Sequence, residues 1–223
     1  MIKSRKVDIK SRYLARWNSL SNSSFENLVD NICWNALENK DDKIYLITSA
    51  SLREGKTTVA VNLAINIAKT GKKVLLIDAN LRNPTIGEIF NVRELPGLTQ
   101  IICDGMSIKS IIFPVKEYNI CLIPTGNIDH ETFEVLTSPK IAETLAYAKE
   151  IYDFVIIDCT AVNSYADPLL LCPLVDQVVF VILADKAEKS EVLIAKAKIL
   201  NAEGKILGVV LNRERFSSFH NGM

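Results

Sequence analysis

Six short runs, almost continuous in valine, isoleucine and leucine, dominate the chain from Ile44 onward. They are KIYLITS (43–49), KVLLIDA (73–79), YNICLIP (118–124), DFVIIDC (153–159), QVVFVILA (177–184) and GKILGVVL (204–211). A strand with one solvated face alternates apolar and polar residues. These runs do not alternate, so both of their faces must be covered. Helical patterns fall between them, at 56–70 closed by Gly71, at 138–150 opened by Ser138-Pro139, and at 187–202 closed by Gly204. Residues 24–39 read as one lead-in helix. This alternation predicts an α/β fold, a doubly wound and mostly parallel sheet with helices on both faces. Ligands of such sheets bind beyond the carboxyl ends of the strands.

Polar residues gather where the runs end: Thr48 and Ser49 after the first, Asp78 after the second, Asp158 after the fourth and Asn212 after the last. The first of these ends leads into Gly55-Lys56-Thr57, the closing triplet of the phosphate-loop pattern G-x-x-x-x-G-K-[ST]. The opening glycine of that pattern is replaced by Ala50, and Arg53 stands inside the loop. Between a strand and a helix, such a loop aims backbone N–H groups and the positive helix end at a phosphate chain. Ser51, Leu52, Arg53, Glu54, Gly55, Lys56, Thr57 and Thr58 are therefore the candidate nucleotide-binding segment. Lys56 would reach the β- and γ-phosphates, and Thr57, with Asp158, would hold Mg2+. Asp78 adds a second carboxylate near the γ-phosphate, as metal partner or base. Taken singly, a GKT triplet is an ordinary helix start and an aspartate after a strand is an ordinary cap. Their joint occurrence at strand ends, in this order, favours a nucleotide site.

Composition narrows the remaining choices. The 26 basic residues balance the 26 acidic ones, which argues against nucleic acid as a partner. The first sixteen residues are locally basic, with Lys3, Arg5, Lys6, Lys10, Arg12 and Arg16 against Asp8. They read either as a solvated tail or as a docking segment for a membrane or partner. The five cysteines form no C-x-x-C pair and no cluster with histidine, and are expected as buried thiols. The longest apolar run is too short to span a bilayer, so a cytoplasmic chain is expected. The expected organisation is a basic segment at 1–22, one P-loop domain at 23–216 and a short tail at 217–223.

From about Phe25 to Phe216 the chain resembles the bacterial tyrosine kinases of capsule and exopolysaccharide synthesis, within the MinD- and ParA-like deviant P-loop ATPases. The resemblance rests on the loop, on VLLIDANLRNP (74–84), on TIGEIFNVRELPGLTQIICDG (85–105), on YDFVIID (152–158), on Asp167 and on ILGVVLNR (206–213). MinD- and ParA-type loops usually carry an early lysine where this chain has Ser51, which favours the kinase branch. The resemblance implies a P-loop NTPase fold and binding of ATP with Mg2+. It implies catalytic roles for Lys56, Asp78, Asp158 and Arg82, metal contacts from Thr57, Asp78 and Asp158, and base contacts from Asn212 with Arg213 beside it. It further implies phosphoryl transfer to protein tyrosine, and a partner in the cytoplasmic tail of a membrane polysaccharide copolymerase.

Four departures bear on that expectation. Leu52-Arg53 replaces the family's Pro-Gly, so Arg53 is strained if its position needs positive φ. Asn80 replaces the second aspartate of the family's D-x-D pair, bringing no charge to a metal and no base, which should weaken catalysis more than binding. The family's C-terminal tyrosine cluster is missing; no tyrosine follows Tyr165, and Tyr13 is the obvious mobile alternative. The assembly pattern Glu-x-x-Arg-x-x-Arg falls on Ser23, Glu26 and Val29, so a ring through that contact is not expected, although other homo-oligomers stay open. The readings in play are therefore a tyrosine-kinase-like ATPase, a catalytically weak nucleotide-binding regulatory module, and a MinD- or ParA-like positioning ATPase.

Overall fold

The computed structural model describes residues 30, 32, 41–127 and 131–212. The expected lead-in helix apart from Asp30 and Ile32, both helical, lies outside the described residues, as do the boundaries near 22 and 216, Tyr13, Cys33 and Arg213. Among the described residues seven strands form one sheet: β1 (Ile44–Ser49), β2 (Val74–Asp78), β3 (Phe113–Val115), β4 (Ile120–Ile123), β5 (Phe154–Ala161), β6 (Gln177–Leu183) and β7 (Ile206–Asn212). Their order is β3-β4-β2-β5-β1-β6-β7. Every pairing is parallel except that of β3 with β4. The six apolar runs are thus the six parallel strands, and the doubly wound fold holds.

Helices cover both faces. On one face lies α1 (Lys56–Lys69), whose sequence VAVNLAINIA is apolar almost all round and buried to match. Its two asparagines are accommodated by donating to backbone one turn back, Asn62 Nδ2 to Thr58 O at 2.7 Å and Asn66 Nδ2 to Asn62 O at 2.8 Å. With Tyr45, Ile47, Leu76, Ile156 and Val179 this helix forms one core layer. After it come α2 (Ile86–Ile89), α3 (Leu98–Ile102), α4 (Thr132–Thr137), α5 (Pro139–Ile151), α6 (Asp167–Leu171) and α7 (Lys189–Asn201). The second layer joins Leu46, Leu75, Ile157 and Phe180 to Ile141 and Leu145 of α5 and to Ala195 and Ile199 of α7.

The helix signals act as expected at two of three ends. Gly71 takes φ 84 after α1, and Ser138 Oγ accepts from Lys140 N at 3.4 Å with Pro139 in the first turn of α5. At the end of α7 the left-handed residue is Glu203 (φ 61), not Gly204. Gly204 serves another purpose: a Cβ there would lie 2.7 Å from Ile199 and 2.8 Å from Cys172 Sγ. Three further expectations need correcting. The short antiparallel edge strand β3 escapes the pattern because it has three residues and a central Pro114. Coverage on both faces fails for β7, an edge strand on which Val209 and Leu211 are exposed. Cys103 is an exposed thiol, whereas Cys159 and Cys172 are buried as expected.

Candidate functional site

The parallel register brings the carboxyl ends of β1, β2 and β5 to one rim. Asp78 at the end of β2 stands directly opposite Asp158 of β5, and Ser49 at the end of β1 opposite Ala161. From β1 the chain turns through residues 50–55 into α1. Gly55 caps that helix with φ 92, and Arg53 before it has φ 65. Arg53 therefore does occupy the left-handed region that glycine would enter without strain. A Cβ on Gly55 would lie 2.0 Å from Asn212 Nδ2, so glycine is required by space as well as by φ.

Two side chains hold this loop from outside it or within. Asn212, the last residue of β7, donates its Nδ2 to Glu54 O at 2.8 Å. Glu54 is itself buried, and its carboxylate accepts from Ser51 N at 2.8 Å and from Leu183 N, at the end of β6, at 3.4 Å. Glu54 is thus a strut between the loop and β6. Its position in the loop was legible, but nothing in the sequence says that its carboxylate turns inward.

The charged groups converge beneath the loop. Lys56 is buried, which lowers its pKa; Asp158 and Glu54 oppose that shift. Thr57 Oγ1 donates to Asp158 Oδ2 at 2.6 Å. Asp158 Oδ1 is buried and has no hydrogen-bond partner among the described residues. Asp78 accepts from Asn80 N and Ile86 N, both at 3.1 Å, and Thr125 Oγ1 donates to its carbonyl at 3.2 Å. Burial, and then the facing Asp158, pushes the Asp78 carboxyl up to about 8; burial pushes Asp158 up to about 6 against the pull of Thr57 and Lys56. Two facing buried carboxylates, one with an orphaned oxygen beside a threonine hydroxyl, suit a hard divalent cation. Mg2+ commonly takes only one or two protein oxygens, with phosphate and water completing its shell.

Arg82 follows Asp78 by four residues but does not turn toward that carboxylate. Its Nε and Nη2 each lie 3.2 Å from the carboxylate of Asp167, and the guanidinium sits 4.9 Å above the ring of Tyr165. Asp167 is buried at the start of α6 and also accepts from Thr160 Oγ1 at 3.4 Å. Asn80 acts locally: its Oδ1 accepts from Asn83 N at 3.2 Å, closing the turn after β2. Cys159 is fully buried, and burial holds its thiol well above the usual range, so it is inert packing.

A cleft of about 630 Å3 opens between residues 84–96 and 124–127, with Pro84, Gly87, Pro96, Gln100 and Thr125 among its walls; Asp78 does not line it but is joined to it by the hydroxyl of Thr125. Gln100 Oε1 organises it by accepting from Gly97 N at 2.9 Å, Thr99 Oγ1 at 3.0 Å and Asn127 N at 3.2 Å. Gly97 and Gly126 meet so closely there that a Cβ on Gly97 would lie 2.0 Å from Pro124 O. No long sequence pattern announces this cleft, because its walls come from two separate strand-end loops.

Residues 53–182 match a protein family described as an AAA domain. The chain is 33% identical over 199 residues to the tyrosine-protein kinase YwqD of Bacillus subtilis, an alignment covering 89% of this chain and 84% of that protein. The solved kinase domain of the Escherichia coli tyrosine kinase ETK superposes with a TM-score of 0.75 at 25% identity, covering 82% of this chain and 73% of that one. The septum site-determining protein MinD of Pyrococcus horikoshii, solved with Mg-ADP, shares the fold with a TM-score of 0.66 at 24% identity, covering 79% and 72% respectively.

Proposed function

The chain belongs to the bacterial tyrosine-kinase family within the MinD- and ParA-like P-loop ATPases, and from that premise we propose that it binds ATP with Mg2+ and transfers the γ-phosphoryl group to protein tyrosine. The observation that carries this reading is the set Lys56, Thr57, Asp158 and Asp78, drawn from three elements to one buried rim, with Asp158 Oδ1 left unpartnered.

In this reading the backbone of 51–58 cradles the phosphates and Lys56 reaches the β- and γ-phosphates from the first turn of α1. Thr57 and Asp158 would hold Mg2+, with Asp78 completing the carboxylate side; the cation supplies neutralisation of the charge that develops on the transferring group. Asp78, whose basicity is raised by its surroundings, is the candidate to orient or deprotonate the attacking hydroxyl. Asn212 holds the loop through Glu54 and borders the adenine side, with Arg213 next to it. Arg82 anchors the turn that follows Asp78 by its ion pair with Asp167. The cleft walled by Thr125, whose hydroxyl bonds the Asp78 carbonyl, would receive the incoming tyrosyl segment.

Among the described residues no helix is long and apolar enough to cross a membrane. The proposed setting is the cytoplasm, at the inner face of the membrane, with the cytoplasmic tail of a polysaccharide copolymerase as the recruiting and activating partner in capsule or exopolysaccharide synthesis. A second reading is favoured by one specific observation. Asn80 spends its side-chain oxygen on the turn rather than bringing a second carboxylate, which suits a regulatory module whose bound ATP alters its grip on that partner. Ser51, where positioning ATPases carry lysine, speaks against the MinD-like alternative.

The test is incubation of the purified chain with labelled ATP and Mg2+, with and without a tyrosine-bearing acceptor. Phosphotyrosine that disappears in Lys56→Met supports the kinase. Tight ATP binding without transfer or hydrolysis leaves the regulatory module, and absence of ATP binding removes both.

A further inference from the structure

We propose that Gln100 positions the phosphoryl acceptor. Its free amide hydrogens bind a main-chain carbonyl of an extended, tyrosine-bearing segment laid in the cleft between residues 84–96 and 124–127. This role rests on the kinase reading above and names what in the cleft recognises the acceptor.

Gln100 lines the cleft with only 9% of its surface exposed. Its Oε1 accepts from two backbone N–H groups, Gly97 at 2.9 Å and Asn127 at 3.2 Å, and from the Thr99 hydroxyl at 3.0 Å. Backbone N–H groups only donate, so this end of the amide is the oxygen and the other end is Nε2. Among the described residues Nε2 has no hydrogen-bond partner, yet the buried side-chain atom left unpartnered among them is Asp158 Oδ1 alone. Nε2 therefore opens on the cleft that Gln100 lines. Three bonds on its own oxygen hold this donor still, so binding through it costs little further side-chain entropy.

The surrounding wall decides what the donor binds. Pro84, Pro96 and Pro124 have no N–H to offer, and with Leu95 they make an apolar slot. The carbonyls of Pro124 and Thr125 are taken by Leu98 N at 2.8 Å and Thr99 N at 3.0 Å. At the mouth Arg93 gives Nη1 to Glu88 at 2.9 Å and stands next to Glu94, so no surplus positive charge awaits an anion. A neutral carbonyl suits this setting better than a carboxylate or a phosphate. An extended peptide supplies both needs, a carbonyl for Gln100 and an apolar side chain at alternate residues for the prolyl wall.

Each wall also carries a hydrogen bond to the candidate base. Ile86 N, between Pro84 and Gly87, donates to Asp78 Oδ2 at 3.1 Å, and Thr125 Oγ1 donates to Asp78 O at 3.2 Å. A segment gripped between the walls is thereby placed relative to Asp78. Gln100 acts on where the acceptor lies and takes no part in the proton transfer.

Gln100→Glu isolates the donor. The carboxylate keeps an oxygen for Gly97, Thr99 and Asn127 and turns a second oxygen toward the cleft in place of the amide hydrogens. Transfer from ATP with Mg2+ to a random alanine–glutamate–lysine–tyrosine copolymer is measured with the full chain, alongside its melting temperature. The expected result is a KM for the copolymer raised about tenfold, with kcat within about twofold and the KM for ATP and the melting temperature unchanged. An unchanged copolymer KM, a fall in kcat alone, or a KM for ATP that rises in step overturns the proposal and leaves the kinase reading standing. If Gln100→Glu does not fold, Pro96→Ala removes a ring from the wall without removing a hydrogen-bond donor. Its copolymer KM should rise about threefold, and an unchanged value is equally fatal. ATP binding by the wild type without transfer to the copolymer overturns the kinase reading and this role with it.

Discussion

Replacing Asp158 by asparagine should stabilise the metal-free protein and destroy its response to Mg·ATP. In the absence of cation, Asp78 and Asp158 face each other across β2 and β5 with neither carboxyl exposed. Both pKa values are raised, Asp78 from 3.8 to about 8 and Asp158 from 3.8 to about 6. A carboxyl raised in the folded state contributes stability below its unfolded pKa and loses it as pH rises through the folded one. The metal-free chain should therefore lose stability steadily from about pH 4 to about pH 8. At roughly 1.4 kcal/mol per unit, the Asp78 shift alone bounds the loss at several kcal/mol. Burial is its largest cause, and that survives in Asp158→Asn; the charge of Asp158 is the second cause, and it does not survive. The asparagine keeps an oxygen for Thr57 but removes the ionised form's burial penalty, and removes a charge that supports Lys56. The net expectation is a gain of ~1–3 kcal/mol at about pH 8, shrinking toward zero near pH 5. Urea unfolding at both pH values, in chelator and in Mg·ATP, reads this directly. Wild type should overtake the variant when Mg·ATP is present. A metal-free variant no more stable than wild type at pH 8, or with an unchanged pH slope, would refute the argument.

Three further expectations follow from the same geometry. Gly55→Ala should cost ~2 kcal/mol or more and weaken nucleotide binding, because it meets both φ 92 and Asn212 Nδ2; adding Asn212→Ala should restore part of the melting temperature, and an unshifted melting temperature in the single variant contradicts the contact. At Arg53, where φ is 65, glycine should stay within about 1 kcal/mol of wild type and valine should lose ~1–2 kcal/mol, a difference that chemical denaturation resolves. Asn80→Asp should raise turnover of ATP or acceptor phosphorylation with ATP affinity little changed; an equal rate would mean that a carboxylate at this turn does not reach the reacting groups.

The apolar runs alone dictate the sheet and its rim. The stretches VLLI and FVII are apolar at every position, which only strands covered on both faces accommodate; of the carboxylates that follow them, Asp78 closes β2, whereas β5 runs on past Asp158 to Ala161. That local rule, with the loop motif after β1, places Asp78, Asp158, Thr57 and Asn212 on one side of the molecule. It could not say which side chains meet there, because contact depends on register, and register is a property of strands 80 residues apart pairing in space. Only the tertiary structure set Asp78 opposite Asp158 and turned Glu54 inward to Leu183. It alone brought Arg82 to Asp167 and the ring of Tyr165, and laid Asn212 against the loop so closely that Gly55 has no room for a Cβ. Each of those contacts joins residues far apart in the chain, where no periodicity or spacing carries information. The carboxylate at 54 looks ordinary in sequence for that reason, and acquires its role as a strut only when the strand ends are assembled.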